Sequence, residues 1–103
     1  MIPRLSLALF TLALVACCHS DTQTGTGFSP CETCELRTLP VDLVCSKNAQ
    51  VAAQNDALSK ARARCGKNRL ETSAFEVERV ECVKRGNQWF VQAIVRGHFK
   101  CCS

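Results

Sequence analysis

Nine of the 103 residues are cysteine, and that number governs what else the chain can be. A domain this small buries too little apolar surface to hold together on its core alone, so it is normally stapled by disulfides or a metal. The chain is 47% apolar and 21% charged, with a net charge of +4. Much of the apolar content sits in the first sixteen residues, and the rest of the chain is rich in Cys and Ala. One domain with a thin core is the consequence; a large enzyme, a multi-domain assembly and a membrane bundle are excluded. Nine is also odd. If the cysteines pair within the chain, one of them has another task.

Residues 1–16 read MIPRLSLALFTLALVA. Arg4 precedes an apolar run broken only by Ser6 and Thr11. Twelve residues of helix extend about 18 Å, well short of the roughly 30 Å hydrocarbon core of a bilayer. A basic start and a short apolar run therefore mark a secretory signal rather than a retained span. The run ends in Leu14-Val15-Ala16-Cys17, which resembles the lipobox of bacterial lipoproteins. That resemblance implies cleavage before Cys17, a diacylglyceryl thioether on its sulfur and an acyl group on its amine. Multiple acyl chains give a stable anchor where one chain gives only marginal binding. Cys18, rather than Asp, follows the lipobox cysteine, and the resemblance then implies the outer membrane. Lipidation of Cys17 leaves an even number of cysteines, in agreement with the parity argument. Simple secretion after ordinary signal cleavage is the alternative.

Residues 17–30 continue with HSDTQTGTGFSP after the two cysteines. This stretch of Thr, Gly and Ser reads as a flexible tether, with His19 a solvated linker residue. The domain expected beyond it, 31–103, divides into four elements. Over Arg37–Cys45, Leu39, Val41 and Leu43 alternate with Pro40, Asp42 and Val44, predicting a short strand that starts at Pro40 or lies at an edge. A helix comes next, capped by Ser46 or Asn48 and ending at Cys65 with Gly66 as C-cap. Its inward stripe is expected to be Val51, Leu58, Ala61 and Cys65, with Ala57 beside it. Thr72–Val83 and Trp89–Phe99 alternate as strands around a turn at 84–88, and a register slip between Val77 and Val80 predicts a bulge. The fold class is α+β: a β-α-β-β domain with one helix on a three-stranded antiparallel-type sheet. A right-handed crossover places the third strand in the middle, order 1-3-2. This layout is similar to that of dodecins, although none of their flavin-site residues can be matched here.

Eight cysteines remain for disulfides: Cys18, Cys31, Cys34, Cys45, Cys65, Cys82, Cys101 and Cys102. Export to an oxidising compartment makes pairing the default. The expected sheet brings Cys31 and Cys34 towards Cys101 and Cys102, with Cys65 returning to the same edge and Cys45–Cys82 at the other end. Cys101 and Cys102 point to opposite faces and should take different partners. Cys18, on the tether, could instead bridge to another chain. Two sharper chemistries compete. Cys31-Glu-Thr-Cys34 has the spacing of a thiol oxidoreductase, but Glu32 and Glu35 oppose the lowered thiol pKa that such chemistry needs. Cys31, Cys34, Cys101 and Cys102 could instead hold zinc or another soft metal, although the adjacent pair is poor chelate geometry.

No nucleophile elbow, phosphate-cradling glycine loop or zinc-protease motif is present in the sequence. Glu76, Glu78, Arg79 and Glu81 read as a solvated strand face, and His98 falls on the same side as Arg96 and Lys100. Trp89 and Phe90 are expected to close one end of the core. Lys60, Arg62, Arg64, Lys67 and Arg69 form a basic run without interleaved aromatics. It disfavours nucleic acid and suits either a helix terminus or an acidic envelope surface. The sequence thus implies no cofactor and no catalytic residue. It points to a lipid-anchored, non-catalytic binding or structural module of the cell envelope, or failing that a secreted cysteine-rich effector or inhibitor.

Overall fold

A computed structural model describes residues 17–35 and 41–103; the signal segment expected over 1–16 lies outside them. Strand β1 covers Cys18–Pro30, helix α1 Leu43–Cys65, β2 Arg69–Arg85 and β3 Gln88–Cys102. A single 3-10 turn, Glu32–Glu35, comes after β1. All strand pairing is antiparallel and the order is β1-β3-β2, so the helix lies on one face of a three-stranded sheet as expected.

The identity of the first strand is a correction. The expected tether is itself β1, paired along its length with β3 from Cys18↔Cys102 to Pro30↔Phe90. Of the strand expected over Arg37–Cys45, residues 37–40 lie outside the described residues. Leu43–Cys45 belong to the helix, which Asp42 caps by accepting from the Val44 and Cys45 backbone N–H groups at 2.9 and 3.1 Å. A carboxylate in the cap position satisfies two of the otherwise orphaned amides. The helix therefore begins several residues before Ser46 or Asn48.

The inward face of the helix also differs from expectation. Ala49, Ala53, Ala57, Ala61 and Cys65 are buried, four residues apart, while Val51 and Leu58 stay exposed at 47% and 39%. The cause is on β1. Gly25 and Gly27 face the helix, and a Cβ on Gly25 would overlap the Ala53 carbonyl oxygen and lie 2.6 Å from the Ala57 nitrogen. A Cβ on Gly27 would overlap Ala49 O and Ala53 N. Backbone meets backbone here, and only Gly against Ala permits that approach. Larger residues on the contact stripe would push the helix away. Val91, Ala93, Val95 and Phe99 of β3 complete the buried layer, with Phe75 of β2 edge-to-face against Phe99 at 5.9 Å.

The hairpin obeys its alternation. A two-residue turn joins Arg85 to Gln88, with Gly86 at φ 61. The expected bulge lies between Val77 and Arg79, and a second, unforeseen one between Thr72 and Ala74. On the open face, Arg96 pairs with Glu78, and His98 Nε2 lies 3.0 Å from Glu76 Oε1. Arg79 and Glu81 also pair, at 3.6 Å. Trp89 packs against the core as expected. Phe90 does not join it: the strand pleat turns it to the opposite face, where it meets Phe28 edge-on at 6.4 Å.

All eight cysteines beyond Cys17 pair: Cys18–Cys102, Cys31–Cys45, Cys34–Cys82 and Cys65–Cys101. Cys101 and Cys102 take different partners, as their opposite directions require. The expected approach of Cys31 and Cys34 to Cys101 and Cys102 is wrong, as is Cys45–Cys82. With β1 running from Cys18 to Pro30, Cys31 and Cys34 emerge at the opposite end of the sheet from Cys101 and Cys102. Cys18 bridges within the chain and not to another one.

Candidate functional site

The redox and metal chemistry considered for the Cys31/Cys34 motif has no geometric basis. Each of the two bonds to a different partner, so they form no dithiol pair. A site combining them with Cys101 and Cys102 is ruled out by their separation along the sheet. Among the described residues no group of three His, Cys, Asp or Glu is placed to hold a metal ion.

What the fold does assemble is one cationic end. The start of β1, the end of β3 and the start of β2 come together at the register Cys18↔Cys102↔Arg69. The Cys65–Cys101 bridge draws the C-terminus of α1 to the same place. Cys17 lies here, exposed and outside the four disulfides. Its carbonyl accepts two hydrogen bonds from Ser103, from the backbone N–H at 3.1 Å and from Oγ at 3.3 Å. Bridge and clasp together leave no slack between Cys17 and the sheet.

The expected basic run divides by role. Arg64, Lys67 and Arg69 surround this end, and on the open face of the sheet beside it Lys100, remote from them in the sequence, lies directly across from Glu71. A recess of about 340 Å³ is lined by Lys67, Asn68, Arg69, Cys102 and Ser103. A second, of about 210 Å³, is lined by His19, Ser20, Asp21, Arg64, Cys65 and Cys101. Arg62 is occupied with the helix end: its Nη1 donates to the Asn68 carbonyl at 3.0 Å, supplementing the Gly66 N–H bond to the Arg62 carbonyl. Cations here also complement the helix dipole. Arg69 lies 3.4 Å from Glu71.

Nothing among known protein families, curated proteins or solved structures matches this chain.

Lys60 belongs elsewhere. Its Nζ donates to the Thr24 carbonyl at 2.9 Å and pairs with Asp56 at 3.1 Å, while Asp56 accepts from the Thr26 N–H at 2.9 Å. Asp56 and Lys60, one helical turn apart, occupy two outward backbone groups in the middle of an edge strand, a kind of edge that can template pairing with another chain. The Thr26 bond first, and Lys60 second, hold the Asp56 carboxyl below its ordinary value of 3.8. A carboxyl so depressed contributes stability that is fully present above its unfolded value and is lost as pH falls through the folded one. Asp56→Asn should therefore lower stability modestly at neutral pH. The gap to the unsubstituted chain should close below about pH 4, as read by denaturant titration across the acid range. A gap that widens on acidification would contradict the clamp.

Proposed function

We propose that the chain is a lipid-anchored protein of the bacterial cell envelope, with a disulfide-stapled, non-catalytic module carried directly on an acylated Cys17. The observation that carries this reading is cysteine parity in three dimensions. Every other cysteine is consumed by a bridge, and the one left over is the residue that the lipobox resemblance singles out. The module would face the periplasm or the surface and act by binding or as a structural element. Four bridges in so small a domain suit an oxidising compartment. No helix among the described residues is long and apolar enough to cross a membrane, so on this reading the acyl chains supply the attachment.

Intact mass of membrane-extracted protein, alkylated with and without prior reduction, tests the proposal. The expected result is a chain starting at Cys17, heavier by its acyl groups, with eight further thiols reactive only after reduction. Cys17→Ser should move the protein out of the membrane fraction. A lipid-free mass would favour the secreted effector or inhibitor instead, and thiols reactive before reduction would reopen redox or metal chemistry.

A further inference from the structure

We infer that the cationic end of the fold is a seat for anionic lipid headgroups, on which the domain stands end-on. The inference rests on the proposed anchor for its orientation, and on the surface itself for its chemistry. Had residues 17–30 been a tether, the anchor could not have fixed which face of the domain meets the bilayer. Instead Cys18 is bridged to Cys102, Cys17 is clasped by Ser103, and an acyl group on Cys17 holds this end at the headgroup level.

The charged side chains brought there are predominantly basic. Arg64 flanks the smaller recess, and Lys67 and Arg69 the larger one beside Cys102 and Ser103; Lys100 stands on the open face of the sheet at the same end, directly across from Glu71. Two carboxylates stand among these cations: Asp21 lines the smaller recess, 3.1 Å from the Gln23 side-chain amide, and Glu71 pairs with Arg69 and lies opposite Lys100, so four cations face two carboxylates and the end stays net positive. Acidic Glu32 and Glu35 are at the far end, after β1. The larger recess is open and lined by Lys67, Asn68, Arg69 and Ser103 beside Cys102, donors suited to phosphate oxygens rather than to acyl tails. A polybasic surface next to a lipid anchor is the usual second signal for anionic membranes, at about fivefold in affinity per cation near the surface. Lys60, held at the β1 edge, and Arg62, held at the helix cap, are excluded from the seat by their contacts.

The test uses the mature chain from residue 17 carrying Cys17→Ser, oxidised, with its four bridges verified by mass. It is titrated with phosphatidylcholine vesicles with and without phosphatidylglycerol. Salt-sensitive binding to the anionic vesicles alone is expected. The triple variant Arg64→Gln, Lys67→Gln, Arg69→Gln should weaken it between tenfold and a hundredfold. Lys47→Gln, Lys84→Gln, Arg85→Gln removes the same charge elsewhere on the molecule and should change it less than about twofold. Equal losses from the two triples would show a net-charge effect and overturn the inference. So would equal binding to both vesicle types, or full competition by inorganic phosphate at constant ionic strength, which would mark a soluble-phosphate site. Because this chain carries no acyl group, an acyl-free native mass would remove the anchor while leaving the vesicle result standing. Failure to bind, alongside an acylated native mass, would do the reverse.

Discussion

Gly25→Ala will cost this protein on the order of 3–5 kcal/mol, beyond the usual range for overpacking because the obstacle is backbone. The added Cβ would overlap the Ala53 carbonyl oxygen and crowd the Ala57 nitrogen, and neither can rotate away as a side-chain tip could. Relief requires lifting the helix from β1, which would open the layer of Ala49, Ala53, Ala57 and Ala61 to water along its length. Gly27→Ala, against Ala49 O and Ala53 N, should behave alike. Two comparisons make the argument specific. Ala53→Gly should not rescue Gly25→Ala, since the Ala53 methyl is not what is struck. Gly86→Ala, which meets nothing within 4 Å, should cost only the roughly 1 kcal/mol of its positive φ. Urea midpoints of the oxidised variants decide it. A Gly25→Ala chain as stable as Gly86→Ala would mean that helix and strand are not in backbone contact.

Removing the Cys18–Cys102 bridge as a Cys18→Ala, Cys102→Ala pair should destabilise the chain by about 4–5 kcal/mol on the loop-entropy account. Removing Cys31–Cys45 should cost about 3 kcal/mol. The difference comes from the enclosed lengths, 84 residues against 14. The core cannot absorb the larger loss. Its fully buried large side chains are Phe99, Val91 and Val95, and the helix contributes methyl groups alone besides Cys65. Complete reduction should therefore unfold the domain, seen as loss of helical circular dichroism on adding a thiol reductant. The same two-cysteine variant should also unfasten Cys17 from the sheet. Stability losses in the opposite order, with the short loop dearer than the long one, would show that native packing around Cys31 outweighs chain entropy.

The parts legible in the sequence are those that obey alternation with large residues. β3 shows Val91, Ala93 and Val95 inward against Gln92 and Arg96 outward. Its partner shows the slip at Val77 that became a bulge, and Gly86-Asn87 marks the turn. Strand order came from the handedness of the crossover. β1 was illegible because its inward residues are Gly25 and Gly27, and its outward row is Thr22, Thr24 and Thr26. A hydrophobicity pattern has nothing to register there. The same blindness misplaced the helix stripe: Val51 and Leu58 are the larger apolar residues, but a helix lying against glycines turns its alanines inward. With Arg37–Cys45 as the first strand, Cys31 and Cys34 fall at the wrong end, and the expected Cys45–Cys82 bridge fails with them. Parity survived because it needs no coordinates, and so the singular status of Cys17 was readable. The cationic end was half readable. Its helical part is contiguous in sequence, whereas Lys100 joins only through the pairing of the first strand with the last.

That pairing sets the order in which the protein can be made. β1 bonds only to β3, so the first strand to emerge has no partner until the last has been delivered, and Cys18 must wait for Cys102. On the proposed route of export into an oxidising compartment, Cys18 meets Cys31 and Cys34 long before its own partner. Mixed bridges formed on the way would have to be undone by thiolate attack before the sheet could close. Maturation should therefore be paced by disulfide isomerisation rather than by collapse, on a scale of seconds to hours. An envelope that oxidises this chain without reshuffling it would accumulate misbridged forms.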